Sequence, residues 1–357
     1  MSIELLKRFG AHLPVDIEAK REARKDRRED GGIVFADERH LMETASWLCR
    51  AQDSSPDGGV SRAYKAAYYL GYGPSGWQPS YPETTGYIIP TMFAIADFLK
   101  DASFAQRAIR MADWEIDIQL PGGAVMGSVV TATPSPAVFN TGQVIFGWLA
   151  TYRRTGEDQY LKAAKRAGDY LVQIQDTEGS WKKGDSLYAL SQSTTYNTRV
   201  SWSLVELGLI TQNNEYIAAA RKNIDHALKK QNPEGWFADN CLNDPERPLL
   251  HTIAYATRGV LECGYLMENQ NYIDSALKTL EGLLSCQRSD GGLPGRLTAD
   301  WKAAVDWDCV TGDAQTAVNW LRAYSITGCK TFYSAARKTI DFVKKTQNLD
   351  HKNPGIR

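Results

Sequence analysis

The sequence predicts an all-α fold in which five to six helical hairpins close into a single α/α toroid, and three observations predict it. Six glutamines, Gln52, Gln119, Gln175, Gln231, Gln287 and Gln347, recur at spacings of 67, 56, 56, 56 and 60 residues. Fifteen positions before each of the last five stands an aromatic: Phe104, Tyr160, Tyr216, Tyr272 and Phe332. A glycine turn follows most of the glutamines, as in Pro56-Asp57-Gly58-Gly59, Glu178-Gly179, Glu234-Gly235 and Asp290-Gly291-Gly292. A three-part register held over so much chain marks one supersecondary unit used repeatedly, and such periods decide the architecture before any local reading does.

Each unit reads as two helices. The second is clearest from Tyr160 to Gln175, where large apolar residues and alanines fall at 160, 163, 164, 167, 170, 171 and 174 with the charges opposite, the stripe of a helix with one wet face. The pattern recurs from Tyr216 and from Tyr272. The first helix differs: residues 142–152 carry no acid and only the polar Gln143, Thr151 and Tyr152, and residues 253–263 carry two charges. Helices apolar nearly all round are buried. Alternating buried and half-wet helices give an inner ring inside an outer ring. Six outer helices end at the glutamines; five inner ones start near Thr85, Thr141, Thr198, Thr252 and Thr311. The sixth wall is left to the N-terminal segment or to the stretch from Val60 to Tyr72.

The organisation expected is a charged helical arm over 1–35 and one toroid domain over 36–357. Lys20, Arg21, Arg24, Lys25, Arg27 and Arg28 make the arm a mixed charge run, read as a solvated helix or, alternatively, as a docking arm for an acidic partner or a membrane surface. A net charge of −1 lacks the basic footprint of nucleic-acid binding. No run of 18 apolar residues is present, so no transmembrane segment is expected, and Met1–Gly10 lacks the apolar stretch of a secretory signal. The six cysteines include no close pair. A reduced, cytoplasmic protein is the expectation. No phosphate-binding glycine loop, dinucleotide fingerprint, zinc-protease or nucleophile-elbow motif occurs, so neither cofactor nor metal is expected.

The turn Gln175-Asp-Thr-Glu-Gly-Ser-Trp181 resembles the Q-x-x-x-G-x-W repeat of terpenoid cyclases, with weaker copies at Gln231–Trp236 and Gln287–Gly292. The repeating region as a whole resembles the α/α toroids of polysaccharide lyases, uronate epimerases and six-hairpin glycosidases. That resemblance implies the fold directly, and chemistry only through the particular residues of a site.

Comparing the units with one another separates scaffold from site. Residues recurring in every unit hold the unit together: the glutamines, the aromatics, the Asp/Glu-Gly turns with Asp57, Glu178, Glu234 and Asp290, and the threonines as helix N-caps. The positions beside the threonines vary sharply: Tyr81 and Glu83; Asn140 and Gln143; Tyr196, Asn197 and Arg199; His251 and Tyr255; Asp306, Asp308 and Asp313. In a toroid the inner N-termini meet at one mouth, where helix dipoles favour an anion. Connecting loops with Trp77, Trp181, Tyr188, Trp236, Trp301 and Trp307 open on the same mouth. Aromatic faces and hydroxyl-binding polar groups suit a sugar.

The leading expectation is a carbohydrate-active enzyme abstracting a proton beside the carboxylate of a uronic-acid oligo- or polysaccharide, as a lyase or C5-epimerase. Asn140 or Asn197 with Arg199 would hold the carboxylate, Tyr196 or Tyr255 would exchange the proton, and His251 would be the base or its partner. Asn, His, Tyr and Arg are the residue types α/α polysaccharide lyases use. The alternatives are glycoside hydrolysis by paired carboxyls, Glu83 with Asp306, Asp308 or Asp313; a terpenoid-cyclase or prenyltransferase-like reaction, for which Asp306-Trp-Asp308 is a partial acid cluster; and a non-catalytic toroid binding a glycan or protein.

Overall fold

The computed structural model describes residues 17, 20–21, 34–66, 75–130, 133–184, 194–241 and 243–356. Among them are eleven α-helices and one two-stranded ribbon. The outer helices are α1 (Asp37–Asp53), α3 (Ala102–Asp117), α5 (Asp158–Ile174), α7 (Asn214–Leu228), α9 (Gln270–Cys286) and α11 (Lys330–Thr346). The inner ones are α2 (Pro82–Leu99), α4 (Val138–Thr155), α6 (Thr198–Thr211), α8 (Leu250–Leu266) and α10 (Val310–Thr327). Most of α4 and α8 is buried, as helices without a charged face must be. No described helix is long and apolar enough to cross a membrane.

Glycines let the inner helices touch. Gly86 of α2 lies against Val144 of α4, where an added Cβ would come within 2.6 Å of the valine Cα. Gly142 of α4 meets Val200 of α6, and Gly312 of α10 meets the backbone N of His251 at the start of α8. N-terminal half meets N-terminal half each time. The inner helices are therefore parallel, and their starts share one rim.

The recurring residues are fasteners. Gln119 Nε2 donates to Gly123 O of its own turn (2.8 Å) and to Ala163 O on α5 (3.0 Å). Gln175 bonds Gly179 O and Ala219 O, and Gln231 bonds Gly235 O and Ser275 O, in the same way. Each glutamine thus pins a turn to the outer helix of the next unit. The aromatics reach the other way: Tyr160 donates to Asp113, Tyr216 to Asp169 and Tyr272 to Asp225 on the preceding outer helix. Gly179 sits at φ +95°, and a Cβ there would fall 2.2 Å from Lys222 O, so only glycine fits this turn. Asp57 accepts Gly59 N, and Asp290 accepts Gly292 N, which keeps both carboxylates in the scaffold. Gln119→Ala removes two of these bonds at once and is expected to lower stability by about 1–3 kcal/mol. Urea unfolding should register it as a lower midpoint at unchanged slope.

The threonines are structural, though not as N-caps. Helices α2 and α4 begin three residues earlier than the threonines suggested, and no inner helix has a side-chain cap bond. Thr85 and Thr141 sit one turn inside. Each donates to the carbonyl four residues back and accepts the N–H of a loop residue, Val60 or Val125. The hydroxyl clamps loop to helix, a task the preceding-turn geometry allows and a cap position would not.

The seam joins the last unit to the first. Gln347 bonds His40 and Thr44 of α1, Asp37 pairs with Arg337 and Lys344, and Trp47 Nε1 donates to Gly355 O. No described inner helix packs along the faces of α2 and α10 that border this seam; Phe98 is 61% and Val318 51% exposed. Within the stretch from Val60 to Tyr72, residues 64–65 form strand β1 (Tyr64–Lys65) against β2 (Gly76–Trp77), and residues 67–72 lie outside the described residues. Its described part is a ribbon, not an inner helix. Of the basic arm 20–28, only Lys20 and Arg21 are described.

Candidate active site

The rim gathers a contiguous set of side chains from all five described inner helices. The Tyr81 hydroxyl, just before α2, donates to Glu83 Oε2 at 3.0 Å, with Asn140 of α4 beside it. Asn140 Nδ2 donates to Met126 O at 2.9 Å. One turn below Glu83, Tyr87 stands beside Tyr255 of α8. Gln315 of α10 adjoins Tyr255 in turn.

Arg199 of α6 sits in the middle. Its Nε donates to Gln143 Oε1 of α4 at 2.7 Å. Its guanidinium lies 5.0 Å from the Tyr255 ring, 5.4 Å from Trp202 and 5.9 Å from Phe146, a cation in an aromatic cage. No carboxylate forms an ion pair with it among the described residues. Desolvation lowers its pKa, and the field of Glu83, Tyr87 and Tyr255 opposes that shift. The next cation down the hole, Arg258, is by contrast paired with Glu262 at 2.7 Å.

Burial pushes the Glu83 carboxyl above the usual carboxylate range; the Tyr81 hydroxyl and the guanidiniums of Arg199 and Arg62 pull against it. The side chain is nonetheless half-exposed, because it faces the hollow rather than a packed core. Arg62 stands at the mouth with its guanidinium 5.5 Å from the Tyr81 ring. His251 starts α8 and meets Tyr255 edge-on, ring centroids 5.7 Å apart. Burial and the charge of Arg296 lower its pKa to about 4, so the imidazole is neutral above pH 5.

Of the residues singled out from the sequence, Tyr81, Glu83, Asn140, Gln143, Arg199, His251 and Tyr255 come together here. The others do not. Tyr196 is 3% exposed and packs edge-on against Phe139, whose ring also touches Tyr255; it belongs to the wall behind the hollow, as does the buried Asn197. Trp181 is fully buried with Nε1 on Leu171 O, and Trp236 is buried beside its turn, its backbone N–H on Asn232 Oδ1. Trp77 packs against Trp47 and Tyr64 at the seam. Asp308 pairs with Arg288 at 2.6 Å, and Asp306 is exposed. Asp313 is fully buried and accepts Leu293 N, the bond that Thr85 and Thr141 make in their units. Burial raises it to about 7. Tyr188 lies outside the described residues.

The aromatic walls therefore come from the inner helices, as Tyr87, Phe139, Phe146, Trp202 and Tyr255, rather than from the loop tryptophans. Tyr87, Phe146, Trp202, Gln315 and Arg258 were missed. A signal existed for most of them: Glu83 and Tyr87, Arg199 and Trp202, and His251, Tyr255, Arg258 and Glu262 follow one another at three- and four-residue steps, one face of each helix running down the hole.

No family model and no curated protein matches the sequence. Solved structures do. A crystal structure of an unsaturated glucuronyl hydrolase specific for heparin is similar over 87% of this chain and 85% of that one, at 14% identity and TM-score 0.68. A cellobiose 2-epimerase from Bacillus thermoamylovorans is similar over 84% and 83%, at 14% identity and TM-score 0.66, and a D-mannose isomerase over 85% and 85%, at 13% and 0.64. What these structures share with the chain is the architecture just described: it is an α/α toroid.

Proposed function

We propose that the chain is a carbohydrate-active enzyme that moves a proton at the carbon beside the carboxylate of a uronic-acid residue. One observation carries this reading: among the described residues the carboxyl at the mouth of the hollow is Glu83, and the charged groups acting on it are two guanidiniums, Arg199 and Arg62, neither ion-paired with a described carboxylate. Glu262, deeper in the hole, is taken by Arg258 and Arg322. Such a mouth has a vacancy for negative charge. A uronate carboxylate on Arg199, with Gln143 fixing the guanidinium, places the adjacent C5–H near Glu83. Glu83 takes the proton, and the C–H electron pair moves into the carboxylate as an enediolate. Tyr255, beside Tyr87 and Gln315, delivers a proton to C5 from the opposite face, which inverts that carbon. Cleavage of the C4–O4 bond instead forms a C4–C5 double bond, and the O4-linked sugar leaves as an alcohol with the proton from Tyr255. The named activities of the structural neighbours, a glucuronyl hydrolase and a cellobiose epimerase, support a sugar substrate.

Hydrolysis is the second reading, favoured by the raised pKa of Glu83, which a general acid needs. Incubation with hexuronate oligosaccharides in D2O separates the two. Deuterium at C5, read by NMR, is expected. A C4–C5 double bond in the same spectra would mark elimination, and new reducing ends with neither deuterium nor that double bond would establish hydrolysis instead.

A further inference from the structure

Cys309 precedes α10 and is the nearest polar neighbour of His251 from another element. Its Sγ lies 3.7 Å from His251 Nδ1. The starts of α8 and α10 press together at this point, with Gly312 against the backbone N of His251. The thiol has one proton to place, and Nδ1 is the acceptor within reach. The opposite ring nitrogen, Nε2, has no partner among the described residues, and the side chain is reached by solvent.

We propose that Cys309 is a positioning residue that fixes His251 in the tautomer with its proton on Nε2, making His251 a neutral hydrogen-bond donor into the hollow and not its base. The titration states agree: burial raises the thiol, which stays protonated, and the depressed imidazole stays neutral. The groups facing His251 are Cys309 and Arg296 besides Tyr255 of its own helix, and none of them is a carboxylate that would draw the proton to Nδ1. This deepens the proton-transfer reading and rests on it for the donor's target, the enediolate oxygen that gains charge as C5–H breaks. The assignment of the proton to Nε2 does not rest on that reading.

Two variants of the full chain test it. Ser at 309 keeps a donor hydroxyl; Asp offers only an acceptor at neutral pH and is itself a favourable residue before a helix. Long-range 1H–15N spectra of histidine-labelled protein at pH 7, with the His251 signal identified by its loss in His251→Gln, read the tautomer directly. In the native protein and Cys309→Ser, Nδ1 is expected as the unprotonated nitrogen. In Cys309→Asp the proton is expected on Nδ1, and kcat for deuterium exchange falls roughly 10²-fold, the loss of one donor to a developing oxyanion, while Cys309→Ser stays near the native rate. Nδ1 protonated in the native protein overturns the proposal. So does an unchanged tautomer in Cys309→Asp, or an equal loss of kcat in both variants, which would mark Cys309 as packing only. Absence of exchange with every uronate tested would count against the proton-transfer reading while the spectrum still decides the tautomer.

Discussion

Glu83→Gln is expected to lower the rate of C5 deuterium exchange by about 10³-fold, within the range for loss of a positioned acid–base group, while uronate binding by calorimetry changes little. Glutamine keeps the size of the side chain and an oxygen for the Tyr81 hydroxyl that now donates at 3.0 Å, and Arg199 keeps its bond to Gln143. Only the ionisable oxygen is lost. The direction of the pH dependence carries further information. Burial raises the Glu83 pKa, so if the deprotonated form is the base, kcat/KM rises with pH through a midpoint above the ordinary carboxylate range. If Glu83 is instead a general acid for hydrolysis, the same group produces a falling limb. A variant exchanging at the native rate would remove Glu83 from the chemistry under either reading.

The largest stability effect is expected at Glu115, far from the hollow. It lies on the inward face of α3, fully buried, and neither carboxyl oxygen has a hydrogen-bond partner. One repeat later, 56 residues on, the equivalent position is Leu171, and at 283 it is again Leu; both are fully buried. Glu115→Leu places there the residue that two other units carry (a third has the apolar Ala227) and is expected to stabilise the protein by about 1–3 kcal/mol, the cost of an unsatisfied buried polar group, visible as a Tm higher by a few degrees. Desolvation holds the Glu115 pKa well above the 4.5 of a free glutamate. The unfolded chain therefore releases this proton above pH 4.5 while the folded chain retains it. Native stability falls as pH rises from there toward the folded pKa, and is greatest below the unfolded value. The advantage of the leucine variant should grow over the same interval. Equal melting points at pH 4 and pH 7 for both proteins would show that Glu115 has a partner after all.

The ring was legible because its fasteners repeat. Gln119, Gln175 and Gln231 make the same pair of bonds, and a bond made repeatedly leaves a period in the sequence. The site was partly legible for the converse reason. Glu83, Arg199 and His251 stand out as polar residues at inner-helix starts where other units differ. The loop tryptophans misled because aromatic character does not reveal direction: Trp181 fills the layer between rings, and Trp301 hydrogen-bonds Glu234 O against the outer helix α9. Asp313 misled because a carboxylate can serve where other units use a threonine hydroxyl, accepting the same loop N–H. The order of contacts down the hole depends on helix phase. Three- and four-residue steps would have supplied it for Tyr87, Trp202 and Arg258, while Arg62 reaches the mouth from a loop with no periodicity to betray it.

A stack of like units ordinarily has two terminal members, each with one bare flank, and melts inward from them. Here Asp37, His40 and Thr44 grip Arg337, Lys344 and Gln347, so the eleventh helix is neighbour to the first and neither outer helix is terminal. Cooperativity then comes from circular connectivity as well as from packing. The first and last outer helices are held side by side in this way, so which unit comes first is a matter of covalent order more than of architecture.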